Sequence, residues 1–166
     1  EAIGASIKEA CDRLGLNEPR LILEPGRAII GRAGVALYTV GGTKQIPGVR
    51  TYVSVDGGMG DNIRPALYGA GYSVIKANGP DEPVAGDVTI AGKYCESGDL
   101  LVKDAPLPAL DTGDVLAIAA SGAYCLSMAS NYNMSLRPAV VLVNDGNARL
   151  IRRRETYDDL LASSIL

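Results

Sequence analysis

Residues 140–153, with the sequence VVLVNDGNARLIRR, contain the pattern that decides the fold class. Two runs rich in aliphatic and β-branched residues, Val140–Asn144 and Ala148–Arg153, flank the turn sequence NDGN at 144–147. Asp-Gly and Gly-Asn pairs accept the positive φ angles that a tight hairpin turn requires. The stretch therefore predicts an antiparallel β-hairpin.

The same pattern recurs upstream of this hairpin. Short runs rich in β-branched residues are bounded by Gly, Pro, Asp or Asn, which is typical of strands between tight turns. Helical turns are predicted after Arg64 and around residues 124–130, and a last helix is predicted from Thr156, where Thr-x-x-Asp resembles a capping box. Many short strands with this punctuation favour a mainly β fold, a barrel or a sandwich. The further predicted strands are Gly31–Val40, Thr51–Asp56, Ser73–Lys76, Val84–Ala91 and Val115–Ala119.

The first 30 residues follow a different pattern. Apolar residues recur at helical spacing between Ala2 and Leu14, and Gly15 suits the end of that helix. A buried strand is then predicted at Arg20–Leu23. A helix that leads into a buried strand is half of a repeating α/β unit, so this part is interpreted as the end of an α/β domain cut from a larger protein.

Composition excludes several functional classes. The chain has 166 residues and a formal net charge of −3, which disfavours a nucleic-acid-binding surface. No apolar run approaches the ~20 residues of a membrane span, and the first ten residues do not resemble a signal peptide. Three cysteines without metal-ligand spacing, and no histidine, predict neither a disulfide scaffold nor a metal site. Catalysis would therefore use Cys, Tyr, a carboxylate or a cofactor.

The first candidate site motif is the turn Glu24-Pro25-Gly26-Arg27, placed where the predicted buried strand ends. Loops at that end of the strands form the active site in α/β barrels. Gly26 allows a ligand to approach the backbone closely, and the Arg27 guanidinium suits a phosphate or carboxylate. The alternative is a tight turn with an exposed arginine.

The second motif, VDGGMGDNIRPALY at residues 55–68, combines a glycine-rich strand exit with a helix start at Pro65. Arg64 and Tyr68 are four residues apart, so one helical turn would place both on one face, where they suit a substrate carboxylate. The alternative is a surface arginine stacked on a tyrosine.

The third motif, GKYCESGD at residues 92–99, places Cys95 and Glu96 on a loop bracketed by glycines. A thiol with a reference pKa of ~8.5 can donate a proton near neutral pH, and Glu96 could bind an amine. The alternative is a β-turn with solvated acidic residues.

The fourth motif, SGAYCLSMASNYN at residues 121–133, is dense in small and hydrogen-bonding side chains. Small residues allow a ring or a second backbone to approach. Cys125 is interpreted as a packed apolar residue, unlike Cys95.

In this order, the four motifs resemble the diaminopimelate decarboxylase family, which belongs to the alanine-racemase-like pyridoxal-phosphate enzymes. The resemblance runs from about Ile22 to Leu161, and the strings CESGD and SMASNYN are its most specific parts. It implies an N-terminal α/β barrel followed by a β-barrel domain. The chain would then comprise a barrel remnant at 1–30, the β-barrel domain at 31–155 and a C-terminal helix at 156–166.

The resemblance also implies a role for each candidate residue. Cys95 would be the catalytic proton donor. The substrate would be bound by Arg27, Arg64, Tyr68, Glu96 and Tyr124. Pyridoxal 5′-phosphate would lie against Glu24, Pro25, Gly26, Arg27 and Tyr124.

The implied reaction is the decarboxylation of meso-2,6-diaminopimelate to L-lysine. None of the five lysines lies in a context that resembles the cofactor attachment site, so the chain alone is expected to be inactive. The resemblance further implies a homodimer with shared active sites, and a cytoplasmic location, or the plastid stroma in a photosynthetic eukaryote. The five lysines are Lys8, Lys44, Lys76, Lys93 and Lys103.

Two other interpretations stay open. Ornithine and arginine decarboxylases place Asp, not Glu, beside the equivalent cysteine and lack the SMASNYN string. A catalytically silent β-barrel module that binds a partner chain would not need the whole candidate set, which consists of Arg27, Arg64, Tyr68, Cys95, Glu96 and Tyr124.

Overall fold

The computed structural model describes residues 1–165, and its main body is a six-stranded sheet. The strands are β1 (Ala36–Ile46), β2 (Arg50–Val55), β3 (Val74–Lys76), β4 (Gly86–Ala91), β5 (Leu100–Leu107) and β6 (Val115–Ile118). Their spatial order is β3-β6-β1-β2-β4-β5. The β2–β4 pair is parallel and the other neighbours are antiparallel.

The sheet curls until its two edge strands approach each other. Strands β3 and β5 lie close together, although they do not share a ladder of hydrogen bonds in the part of the chain that is described. The curvature follows partly from irregular register, because bulges occur in β1 between Val40 and Gly42 and in β4 after Val88. The mainly β, barrel-like fold that the sequence predicts is thus confirmed.

The core fills the inside of this curled sheet. Along β2, Val53 and Val55 are buried while Ser54 between them is exposed, which is the alternation expected of a strand with one apolar face. Leu116 and Ile118 of β6 are also buried and belong to the same apolar cluster. Each such side chain contributes roughly 1.5–3 kcal/mol by its removal from water.

The predicted hairpin forms between β7 (Val140–Asn144) and β8 (Asn147–Arg152). Its turn residues, Asp145 and Gly146, have φ angles of 48° and 75°, as the Asp-Gly sequence predicts. Within residues 1–165 the hairpin is a separate two-stranded sheet. Glu155 links the two segments next to the open end of the hairpin. Its carboxylate accepts hydrogen bonds from the Arg137 backbone N–H at 2.8 Å and from the Arg137 guanidinium.

The described residues also form four short α-helices. Helix α1 (Ala2–Leu14) ends at Gly15, whose φ of 64° confirms the predicted glycine stop. Helices α2 (Arg27–Ile30) and α3 (Arg64–Tyr68) lie beside the candidate site, and α4 (Tyr157–Leu161) begins with the predicted capping box between Thr156 and Asp159. None of the helices in residues 1–165 is both long and apolar enough to cross a membrane.

Two strand predictions are wrong, and one strand was not predicted. Residues 20–23 form no strand, because no described strand lies beside them to share hydrogen bonds, and Ile22 is 69% exposed. The strand predicted at Gly31–Val40 starts later, since Gly31–Ala33 form a 3₁₀ turn. Strand β5 was not predicted: it contains Pro106 and has Asp104 at a φ of 50°, both unusual inside a strand.

The terminal helix is shorter than predicted, since α4 ends at Leu161, and Leu166 lies outside the described residues. The division into 1–30, 31–155 and 156–166 stays a prediction.

Candidate active site

The turn at 24–27 lies against the loop that follows β6. Glu24 and Pro25 are exposed at its start, whereas a Cβ atom on Gly26 would stand 2.6 Å from the Tyr124 hydroxyl oxygen. The Arg27 Nη2 group donates to the Ala120 carbonyl at 3.3 Å, and its guanidinium lies 5.4 Å from the centre of the Tyr72 ring. The structure therefore brings Gly26, Arg27 and Tyr124 together.

Backbone contacts fix this arrangement. The Ser121 N–H donates to the Gly34 carbonyl at 2.8 Å, and the Gly122 N–H donates to the Gly31 carbonyl at 3.0 Å. A Cβ atom on Gly122 would overlap the Ile30 carbonyl oxygen, so only glycine fits there. The two segments are thus closely packed through their main chains.

Tyr124 itself has an uncommon backbone conformation, with a φ of 64°. For a non-glycine residue this costs of the order of 1–3 kcal/mol and is found disproportionately at functional sites. The conformation directs the hydroxyl toward Gly26, and the ring contacts Arg64.

Arg64 lies between two tyrosine rings at the start of α3. Its Cζ atom is 5.2 Å from the centre of the Tyr68 ring and 5.3 Å from that of Tyr124. The predicted placement of Arg64 and Tyr68 on one face is confirmed. The Arg64 Nε atom is buried, yet it has no hydrogen-bond partner among residues 1–165. A buried donor without a partner is rare and costly, and it points to an absent ligand.

The loop at 92–99 presents Cys95 and Glu96 together. Cys95 is exposed, and its Sγ atom donates to Glu96 Oε1 at 3.6 Å. The Tyr132 hydroxyl donates to the same carboxylate oxygen. The other oxygen, Oε2, is buried and has no partner in the described part of the chain.

Asp99 connects this loop to the one that precedes Arg64. Its buried carboxylate accepts from the Met59 N–H at 2.6 Å and from the Tyr94 N–H at 2.9 Å. Side chains at Gly58 or Gly92 would collide with it. Burial raises the pKa of Asp99 above its usual range, while the two N–H groups act in the opposite direction. Asp99 therefore holds both loops in place.

The candidate residues form two separate groups. Arg27, Arg64, Tyr68 and Tyr124 make one group, and Cys95 with Glu96 makes the other. Across residues 1–165, no side-chain hydrogen bond, ion pair or ring contact joins the two. Cys125 is 6% exposed and contacts the Tyr72 hydroxyl at 3.6 Å, in agreement with its prediction as a packed residue.

Three residues beside the site, Tyr72, Asp99 and Tyr132, were not predicted to contribute. Tyr132 and Asp99 stand inside the quoted motifs, but each has a partner in another loop: Glu96 for Tyr132 and Met59 for Asp99. Only tertiary structure shows such contacts, so no local pattern could have identified them. Within residues 1–165, no group of three or more His, Cys, Asp or Glu side chains is arranged to hold a metal ion.

A family model described as the pyridoxal-dependent decarboxylase, C-terminal sheet domain, matches residues 18–122. The chain belongs to this family. The match spans β1 to β6 and contains all the candidate residues up to Glu96, whereas Tyr124 lies just beyond it.

Individual proteins and solved structures give a more specific comparison than the family model. The diaminopimelate decarboxylase of Synechocystis sp. is 55% identical over 161 residues, which is 97% of this chain and 34% of that protein. The crystal structure of diaminopimelate decarboxylase from M. jannaschii in complex with L-lysine matches with a TM-score of 0.83 and 42% identity, over 96% of this chain and 36% of that one. The lysine/ornithine decarboxylase of Vibrio vulnificus, solved with cadaverine, matches with a TM-score of 0.60 and 26% identity, over 78% of this chain and 34% of that one. The chain thus spans about a third of the length of these proteins.

Proposed function

We propose that this chain is the C-terminal part of a diaminopimelate decarboxylase, which converts meso-2,6-diaminopimelate to L-lysine and CO₂ in lysine biosynthesis. The observation that carries the proposal is a pair of buried polar atoms that have no hydrogen-bond partner in residues 1–165: Arg64 Nε, a donor, and Glu96 Oε2, an acceptor. Diaminopimelate retains a second amino-acid end that is not decarboxylated. The carboxylate of that end would satisfy Arg64, and its ammonium would satisfy Glu96.

The residues present also fit pyridoxal phosphate. The absence of a side chain at Gly26 lets the Tyr124 hydroxyl lie against this turn, and Arg27 adds a positive charge one residue further on. We place the cofactor against Glu24–Arg27 and Tyr124, with its attachment lysine elsewhere in the enzyme. When bound, pyridoxal phosphate supplies a ring that takes up the electron pair left when CO₂ departs.

The chain's own residues then have distinct tasks. Arg27, Arg64, Tyr68 and Tyr124 bind and orient the substrate. Cys95 is exposed, so its thiol can reach a substrate carbon. As the bond between that carbon and the carboxylate breaks and CO₂ leaves, the thiol proton is transferred to the same carbon.

The separation of the two residue groups supports a homodimer with shared sites. If one subunit supplies Arg27, Arg64 and Tyr124, the other can supply Cys95 and Glu96, and a two-fold axis repeats the arrangement. A soluble biosynthetic enzyme of this kind would work in the cytoplasm, or in the plastid stroma of a photosynthetic eukaryote.

The alternatives have less support. An ornithine or arginine decarboxylase would not need Glu96 to bind a second amino-acid end, and the Vibrio vulnificus enzyme is less similar than the diaminopimelate decarboxylases. A silent module would have no need to keep one buried polar atom each on Arg64 and Glu96 without a hydrogen-bond partner in residues 1–165.

The test compares substrates and variants of the full-length enzyme. The parent should release CO₂ from meso-diaminopimelate and not from ornithine or arginine. Glu96→Gln should lower kcat/KM for diaminopimelate about 10- to 100-fold, since a neutral amide binds the substrate ammonium more weakly than a carboxylate does. Glu9→Gln, at an exposed position of α1, is the matched control. Equal kcat/KM in Glu96→Gln and parent would remove Glu96 from the site, and ornithine turnover at the same rate would contradict the proposed substrate.

A further inference from the structure

Tyr132 faces the candidate site from a 3₁₀ turn, Tyr132–Met134. Its ring packs edge-on against Tyr94, with ring centres 5.3 Å apart and planes at 88°. The neighbouring backbone is anchored as well, because the Ser130 N–H donates to the Gly60 carbonyl at 2.9 Å. The phenol is thus held in one direction, and in that direction its hydroxyl donates to Glu96 Oε1.

This contact gives the two oxygen atoms of the Glu96 carboxylate different surroundings. Oε1 accepts from both the Tyr132 hydroxyl and Cys95 Sγ, whereas Oε2 is buried without a partner in residues 1–165. A carboxylate on a loop would otherwise rotate freely about its side-chain bonds. With Oε1 occupied, Glu96 can offer a cationic ligand only Oε2.

The charge of Glu96 is fixed in the same way. The hydrogen bond from Tyr132 is the main cause that lowers the pKa of Glu96, and it raises the pKa of Tyr132 to about 12. Glu96 is therefore ionised and Tyr132 protonated near neutral pH. The other titratable groups near Glu96 in the described chain are Cys95 beside it, with Lys93, Tyr94 and Asp99 in the same loop.

We propose that Tyr132 is a positioning residue that orients Glu96, so that Oε2 receives the ammonium of the substrate's distal amino-acid end. The inference rests on the proposed function, and it assigns to Tyr132 a part in substrate specificity. Tyr132 does not touch the substrate in this account. Its effect is transmitted through one carboxylate.

The test is Tyr132→Phe in the full-length enzyme, which removes one oxygen and keeps the ring against Tyr94. KM for meso-diaminopimelate should rise about tenfold while kcat changes less than about twofold. The acidic limb of the kcat/KM profile should move to higher pH, because Glu96 without its donor is protonated at higher pH. A merely structural role would not move that limb.

Two further variants complete the design. Tyr157→Phe removes the same atom from a tyrosine that is 66% exposed, and it should match the parent. The double variant Tyr132→Phe/Glu96→Gln should be no worse than Glu96→Gln alone, since both changes act on one interaction. An unchanged KM and pH profile in Tyr132→Phe, or additive losses in the double variant, would overturn the proposal.

A binding measurement separates this inference from the proposed function. L-Lysine keeps the amino-acid end that is not decarboxylated, so it probes Glu96 without turnover. Calorimetry should show L-lysine binding about tenfold weaker to Tyr132→Phe than to the parent. A parent that binds L-lysine but does not decarboxylate diaminopimelate refutes the proposed function alone, whereas equal affinities refute the role of Tyr132 alone.

Discussion

Arg64 is stabilised by two aromatic rings, and no ion pair joins it to an acidic side chain in residues 1–165. Each ring face attracts the guanidinium by ~0.5–2 kcal/mol without neutralising its charge. The charge therefore remains available to an anionic ligand.

Arg64→Lys should lower kcat/KM for diaminopimelate about 10- to 100-fold. An ammonium cannot reproduce the flat, two-point contact of a guanidinium, so the charge alone does not restore binding. Steady-state kinetics of the full-length enzyme measure the loss. The matched control is Arg50→Lys, where Arg50 forms a surface ion pair with Asp104 at 3.4 Å and the change should have little effect. A kcat/KM within twofold of the parent would contradict the assigned contact.

Sequence alone predicts only part of this arrangement. The spacing of Arg64 and Tyr68 predicts their shared face, because it depends on one helical turn. The contacts of Tyr124 with Gly26 and Arg64 join distant parts of the chain and depend on a left-handed backbone at Tyr124. Neither composition nor spacing contains that information.

At the scale of elements, the packing of residues 31–34 against the loop after β6 positions both Arg27 and Tyr124. Gly122→Ala places a methyl group against the Ile30 carbonyl and the Gly34 N–H. The crowding should lower the free energy of unfolding by about 1–3 kcal/mol and reduce kcat/KM as Tyr124 moves. Denaturant unfolding and kinetics of the full-length enzyme measure the two effects.

The control for that change is Gly71→Ala. A Cβ atom at Gly71 would meet no atom of residues 1–165 within 4 Å, so both quantities should stay close to the parent values. If Gly122→Ala unfolds at the same denaturant concentration as the parent, the two segments are not packed as described.

The hairpin base should depend on pH through Glu155, whose side chain is 10% exposed. Arg137 is the main cause that lowers the pKa of Glu155 from 4.5 to about 2. A depressed carboxyl pKa stabilises the fold above pH 4.5, and this contribution is lost as the pH falls toward 2. The melting temperature of Glu155→Gln should therefore lie below that of the parent at pH 6, and the gap should narrow by pH 3. A gap that does not vary with pH would contradict the ion pair, and Glu9→Gln should show no gap.

Local elements are the part of the fold that the sequence predicts well. The β7–β8 hairpin and the Thr156 cap depend on two to four adjacent residues, and both form as predicted. The errors involve elements that need distant partners. Residues 20–23 have a strand-like sequence but no neighbouring strand in the described chain, and β5 forms despite Pro106 because β4 provides its partner.

At the scale of the whole molecule, the shared-site dimer makes a prediction that single-site models do not. Two inactive full-length variants are mixed: Cys95→Ala, and one that lacks the cofactor attachment lysine. Random exchange makes about half of the dimers mixed, each with one intact site, so activity should return to about a quarter of normal. If Cys95 serves its own subunit, every site stays broken. An inactive mixture with subunit exchange confirmed by native mass spectrometry would refute shared sites.

The order of strands in the sheet has a consequence for how the protein is made. Strand β1 pairs with β2 on one side and with β6 on the other. The ribosome synthesises β2 directly after β1. Strand β6 comes much later, since Ala36 of β1 pairs with Ile118 of β6. Until nearly the whole sheet domain has been synthesised, one edge of β1 has no partner and can pair with another nascent chain. High contact order slows such closure, because a long loop must be ordered before the pairing is gained. The long connection between the paired strands β1 and β6 thus makes folding slow and sensitive to the concentration of unfinished chains.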